Sequence, residues 1–192
     1  MTILSKSDGS WHNPPPQFSF DASGLRVTTG HKTDFWRDTY YGFQRDSGHF
    51  LALSAPERFT AVLTFEADYQ HLYDQAGLML RIDEKRWLKL GIEHSDGVTN
   101  FSIVVTVGQS DWSVVAQPLV SGAQQVRLTR LEGCIIAHYR ASDGSWRLMR
   151  VAPFPGDAGA QLGPTACSPE REGLQVRFID LSVDEPLENP LH

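Results

Sequence analysis

The chain has 192 residues with 17 Lys and Arg against 23 Asp and Glu, a net charge of −6 with His neutral, and a chain of this length encloses one full core without disulfide or metal staples. Hydrophobic residues make up 41% and charged residues 21%, which argues against a disordered polymer. A pI near 5.6 disfavours a nucleic-acid footprint. The longest strictly hydrophobic runs are four residues, Phe50 to Leu53 and Cys134 to Ala137, where a membrane helix needs about 20.

Met1 to Trp11 holds one Lys and no apolar h-region, so no signal peptide is expected and the expected address is the cytoplasm. Cys134 and Cys167 lie far apart with no C-x-x-C spacing, which fits neither a disulfide framework nor a zinc knuckle. No metal site or cofactor is expected. His31, His49, His71, His94 and His138 are too scattered to define a metal site by spacing, and no phosphate loop, G-x-S-x-G or H-E-x-x-H occurs.

Helical periodicity is scarce, whereas short runs of Val, Ile, Phe, Tyr and Thr recur between Gly, Pro, Asp and Ser clusters. Phe59 to Ala67 alternates cleanly. Gln75 to Asp83 and Arg86 to His94 follow as strands around the turn Asp83-Glu84-Lys85. Ser95-Asp96-Gly97 marks a tight hairpin before the strand Phe101 to Val107. Val114 to Pro118, Gln125 to Glu132, Cys134 to Ala141, Trp146 to Pro153 and Leu174 to Val183 complete the set, with Ser142-Asp143-Gly144 as another hairpin turn. Phe154 to Arg171, rich in Gly, Pro, Ala and Ser, reads as a long connection with room for a short helical turn. Asp184 to His192 reads as a loose tail of a single domain spanning 1–192. Roughly nine to twelve strands with regular turn signals predict an all-β, two-sheet sandwich.

Strand alternation also sorts candidate site residues. Leu88, Leu90 and Ile92 read as core, so Lys89 and Glu93 face the other side of their strand. Ala76, Leu78, Leu80 and Ile82 do the same for the preceding strand, leaving Gln75 and Arg81 on the outer side. Neighbouring strands then bring Gln75, Arg81, Lys89 and Glu93 onto one patch, either a binding cleft or a solvated sheet face with cross-strand ion pairs.

Aromatic and polar islands lie close by in the chain: Thr33 to Phe43, Ser47 to Phe50, Tyr73 to Gly77 and Ser110 to Ser113. Trp and Tyr rings offer faces for a sugar or other flat ligand while their polar edges hydrogen bond. The same rings also serve to close the end of a sandwich core. Carboxylates available for glycoside cleavage are Asp34, Asp74, Glu93 and Asp111. Glu93 is the best placed of these, although the nearby Lys89 would lower its pKa and weaken it as a general acid. Cys134, in an apolar strand, reads as a small hydrophobe.

The strings Thr33-Asp34-Phe35-Trp36, Tyr41-Gly42-Phe43, Gly48-His49-Phe50, Tyr73-Asp74-Gln75-Ala76-Gly77, Trp87-Leu88-Lys89-x-Gly91-Ile92-Glu93 and Ser110-Asp111-Trp112-Ser113, in this order, resemble the DUF1349 family over nearly the whole chain. The resemblance implies a two-sheet antiparallel jelly-roll sandwich of the concanavalin A-like lectin and glucanase type. It picks out Trp36, His49, Asp74, Gln75, Lys89, Glu93, Asp111 and Trp112, with no established catalytic role attached to them. Three functions are expected from the residues and the resemblance together. The first is a non-catalytic module binding a carbohydrate or small polar metabolite, with Gln75, Arg81, Lys89 and Glu93 as polar contacts and Trp36 and Trp112 as stacking faces. The second is a glycan-active hydrolase or lyase using Glu93 with His49. The third is a protein-binding regulator of a metabolic enzyme such as enolase, since a fungal family member is described as an enolase regulator.

Overall fold

In the computed structural model, which describes residues 9–117, 122–156 and 159–191, the alternating segments form strands whose apolar sides meet. In chain order they are β1 Ser10–His12, β2 Gln17–Asp21, β3 Gly24–Thr28, β4 Phe35–Arg37, β5 Gln44–Asp46, β6 His49–Ala55, β7 Phe59–Ala67 and β8 Gln75–Asp83. Then come β9 Arg86–Ser95, β10 Val98–Val107, β11 Gln109–Gln117, β12 Gln124–Leu131, β13 Cys134–Arg140, β14 Trp146–Pro153, β15 Ala160–Cys167 and β16 Gln175–Asp184.

Fourteen of these strands make two seven-stranded antiparallel sheets, ordered β1-β6-β15-β8-β9-β10-β11 and β14-β13-β12-β7-β16-β3-β2. Their facing sides bury Leu63, Phe65, Leu78, Leu80, Leu88, Leu90, Ile92, Phe101, Ile103, Leu128, Phe178 and Leu181. Each such side chain contributes roughly 1.5 to 3 kcal/mol on burial, enough together to offset much of the ordering entropy. The expected all-β, two-sheet sandwich is therefore the fold, and the inner faces of β8 and β9 are the predicted ones. Asp96 and Gly97, with φ of 53° and 74°, have the paired positive φ that joins β9 to β10 tightly.

Three expectations need correction. The stretch from Phe154 to Arg171 is not simply a connection, because Ala160–Cys167 is a central strand paired with both β6 and β8. Its Gly163 and Pro164 hid it: Gly163 is needed because a Cβ there would lie 1.9 Å from the Leu51 carbonyl oxygen. The strand placed at Val114 to Pro118 runs instead over Gln109–Gln117, with Pro118 outside the described residues. Six short strands also precede Phe59, so the described residues hold more strands than the nine to twelve expected. Asp184, the expected start of the loose tail, is the last residue of β16 and stands opposite Thr60, and beyond it the Leu187 amide donates to Thr60 Oγ1 at 3.1 Å.

The remaining pair, β4 and β5, forms a hairpin over the outer face of the first sheet. Phe35 and Trp36 from this hairpin pack on Phe50, Ala52, Met79, Trp87, Val104 and Cys167, a second small core. Gly48 makes room for it, since a Cβ there would lie 2.3 Å from the Phe35 ring. The hairpin thus seals part of the outer face and leaves a cavity beside it.

Candidate functional site

The cavity floor comes from β8 and β9. Alternation sends Gln75, Lys89 and Glu93 outward from the main core, yet the hairpin leaves them only 8%, 8% and 6% exposed. The Lys89 ammonium donates to Gln75 Oε1 at 2.6 Å and to Asp34 Oδ1 at 3.0 Å. Burial alone would push the Lys89 pKa down, but the negative charges around it, Asp34 first and Glu93 also, together with the Asp34 hydrogen bond, outweigh it and the ammonium is held charged to higher pH than usual. Lys89 is therefore an anchored cation rather than a free base or nucleophile.

Glu93 is differently placed. Its Oε2 accepts a hydrogen bond from Ser102 Oγ at 2.9 Å, and Ser102 accepts one from the Trp112 indole N–H at 2.9 Å. Among the described residues Glu93 has no cation within ion-pair distance. Burial raises its pKa despite the attraction of Lys89 and the Ser102 hydrogen bond. Lys89 pulls this pKa down, as expected, but the desolvation of Glu93 outweighs that pull and the net shift is upward.

Five rings wall the space: Trp36, Tyr41, Phe43, Tyr73 and Trp112, with Lys32, Arg45 and Glu170 also lining it, around a volume of about 170 Å³. Tyr41 and Tyr73 share a hydroxyl hydrogen bond of 3.1 Å that joins the hairpin tip to the loop before β8. Tyr73, at φ 62°, occupies a backbone conformation that a bulky residue rarely adopts. The Trp36 indole N–H donates to Thr39 O at 2.9 Å inside the same hairpin.

The other predicted residues do not join this cavity. Arg81 shares the sheet face but makes a bidentate pair with Asp46 at 2.8 and 2.9 Å. Asp74 is fully buried and binds the Arg171 guanidinium, while the amides of Gln70 and His71 donate to it at 3.0 Å. His49 Nε2 accepts from the Gly30 amide at 2.9 Å, which leaves its Nδ1–H to donate to Asn13 O at 2.7 Å. Burial lowers its pKa, so this neutral ring links two loops. Asp111 is an exposed partner of Arg150. The Cys167 thiol, pushed up to about 12 by burial, is not a nucleophile at neutral pH.

Sequence reasoning did not single out Lys32, Arg45, Pro169 and Glu170 as lining the cavity. Pro169 and Glu170 follow the unrecognised β15, and their only signal was that strand. Among the described residues no three His, Cys, Asp or Glu side chains converge as a metal site requires. A wider groove of about 800 Å³ runs along β2, β3 and β16, but its charges pair locally, as in Arg177 with Glu66 at 2.8 Å and Arg26 with Asp21 at 3.1 Å. The smaller cavity, with buried polar groups aimed into it, is the better candidate.

Comparison with known proteins agrees with this geometry at the level of fold and family. The chain is 44% identical over 186 residues, 97% of its length and 94% of the relative's, to "Regulation of enolase protein 1" of Saccharomyces cerevisiae. A crystal structure of a functionally unknown protein from Saccharomyces cerevisiae superposes with a TM-score of 0.88 at 44% identity, covering 93% of this chain and 97% of that one. A GH43 protein, BlXynB, from Bacillus licheniformis gives a TM-score of 0.71 at 12% identity, covering 96% of this chain but 39% of that longer one. The last likeness is one of fold alone. Residues 11–186 match the family described as a protein of unknown function, and the chain belongs to this family, DUF1349.

Proposed function

We propose that this chain is a non-catalytic binding module whose cavity beneath the β4–β5 hairpin receives a small polar metabolite or a single sugar ring. The observation that carries this reading is the placing of three buried polar side chains, Gln75, Lys89 and Glu93, at the floor of an aromatic-walled space of about 170 Å³. Buried polar groups cost free energy, and a fold retains them where fixed geometry or a ligand compensates.

Hydrolysis by two carboxylates is the weaker reading. Glu93 would serve as an acid, but Asp34 is committed to Lys89 at 3.0 Å, and His49 has both ring nitrogens engaged by backbone groups. A broad panel of metabolites, sugars and glycosides tests both. Binding should raise the melting temperature, by about 2.7 kcal/mol of stability at a hundredfold excess over Kd. Glu93→Gln and Gln75→Ala should abolish that shift. Product release from any glycoside would favour the enzyme reading, and silence across the panel would remove the small-ligand reading.

A second reading rests on the relative named for regulation of enolase. In it the chain acts on a metabolic enzyme such as enolase, using the exposed Tyr40 and Leu72, the chain neighbours of the cavity-lining Tyr41 and Tyr73. Purified enolase assayed with and without the chain tests this, with Tyr40→Ser as control; unchanged kinetics and no co-migration would count against it.

A further inference from the structure

The cavity offers an unusual mixture: one desolvated carboxylate and several aromatic faces, with most other polar atoms already engaged. The indole N–H of Trp36 is bound to Thr39 O and that of Trp112 to Ser102. The Tyr41 and Tyr73 hydroxyls bind each other. Asp34 and Gln75 are both held by Lys89. A sugar ring needs several free donors and acceptors around its hydroxyls, and these walls offer few without breaking an internal bond.

We propose that the cavity recognises an organic cation, a compact methylated or alkylated ammonium group packed against the faces of Trp36, Tyr41, Tyr73 and Trp112 with its charge balanced by the Glu93 carboxylate. The inference rests on the small-ligand reading above and narrows its ligand class. Aromatic faces attract cations through the ring quadrupole, more strongly once both are removed from water. The protein already uses this attraction at the rim, where the Arg45 guanidinium lies 5.0 Å from the centre of the Phe43 ring.

The charges around the site leave Glu93 as the group that decides the ligand's sign. Lys89 is matched by Asp34. Lys32, Arg45 and Glu170 are exposed at the rim, where water and salt screen them. Glu93 is 6% exposed and without an ion-pair partner among the described residues. Its burial opposes its own ionisation, and a bound ammonium would relieve that penalty. The perpendicular set of Trp36 against Tyr41, at 76°, and Tyr73 against Trp112, at 79°, gives the cavity walls rather than one flat platform, which suits a rounded alkylammonium head better than a sugar face.

The test is calorimetric titration of the full chain with tetramethylammonium, choline, the neutral isostere 3,3-dimethylbutanol and glucose. Choline or tetramethylammonium should bind at least about tenfold more tightly than the neutral isostere. Glu93→Gln should remove that preference while the melting temperature confirms a folded protein, and Trp112→Leu should weaken the cations independently. Equal binding of choline and its neutral isostere, or glucose binding without cation binding, overturns the cation inference while the small-ligand reading stands. Failure of all four probes and of the wider metabolite panel overturns both.

Discussion

Gly77 and Gly91 stand opposite one another in register across β8 and β9, and neither position has room for a methyl group. A Cβ on Gly91 would lie 2.1 Å from the Ala76 carbonyl oxygen, and one on Gly77 would lie 2.2 Å from that of Leu90. The bare pair separates the Gln75–Glu93 pair from the Met79–Lys89 pair along the strands. Lys89 and Gln75 therefore meet across a lane with no intervening side chain, which explains how residues four positions apart along the register come within 2.6 Å.

Gly91→Ala should accordingly destabilise the protein by about 1 to 3 kcal/mol, the usual range for overpacking. Chemical denaturation reads this as a lower midpoint with an unchanged slope. An unchanged midpoint would mean that the strands part at no cost, against the geometry described.

Breaking the Asp34–Lys89 pair from one side should cost more than removing both charges. Asp34→Asn leaves a buried ammonium with Gln75 alone, and a loss of about 3 to 5 kcal/mol is expected for an orphaned buried charge. The double variant Asp34→Asn, Lys89→Met should recover part of that loss, giving a coupling of at least about 1 kcal/mol in a double-mutant cycle. Additive losses would mean that the pair is not coupled.

The legible and illegible parts of this molecule divide along a physical line. Segments with one face on the main core, such as Phe59–Ala67 and Arg86–Ser95, carry period-two alternation because only one side is apolar. That alternation was enough to place Gln75, Lys89 and Glu93 together. β15 was not legible, since close approach of its neighbour demands Gly163 and its Pro164 reads as a breaker. The hairpin core was not legible either. Phe35 and Trp36 lie in a three-residue strand, too short for any periodicity, and their burial depends on a tertiary contact with Trp87 and Val104. Arg81 shows the limit of face arguments: sharing a face with Lys89 did not bring it to the same cavity, because Asp46 holds it under the hairpin.

Asp74 should prove structural rather than ligand-binding. Although burial raises its pKa, the bonds from Arg171 and from two loop amides outweigh that and hold it below the ordinary carboxylate value of 3.8. Its contribution to stability is therefore complete above about pH 4 and is lost as the pH falls through the lower folded value. Asp74→Asn should cost about 3 kcal/mol at neutral pH and leave the small-molecule affinity of the refolded protein within about twofold. A large loss of affinity with little loss of stability would instead place Asp74 in the binding machinery.

His138 should make the protein sensitive to mild acid. Its ring is 3% exposed on β13, paired across the strands with Arg127 on β12 and Leu148 on β14, and its Nδ1 lacks a hydrogen-bond partner. Burial first, and then the positive charge of Arg127, lowers its pKa from 6.5 to about 4. Between those two values the unfolded chain binds a proton that the folded chain refuses, so stability rises with pH across this window and is fully present above it. The full difference amounts to about 3 kcal/mol, at about 1.4 kcal/mol for each pH unit. His49 adds a contribution of the same sign. His138→Leu should remove most of the slope between about pH 6.5 and pH 4. Denaturation midpoints measured at half-unit steps through that window decide it: a slope that survives the substitution assigns the acid sensitivity elsewhere.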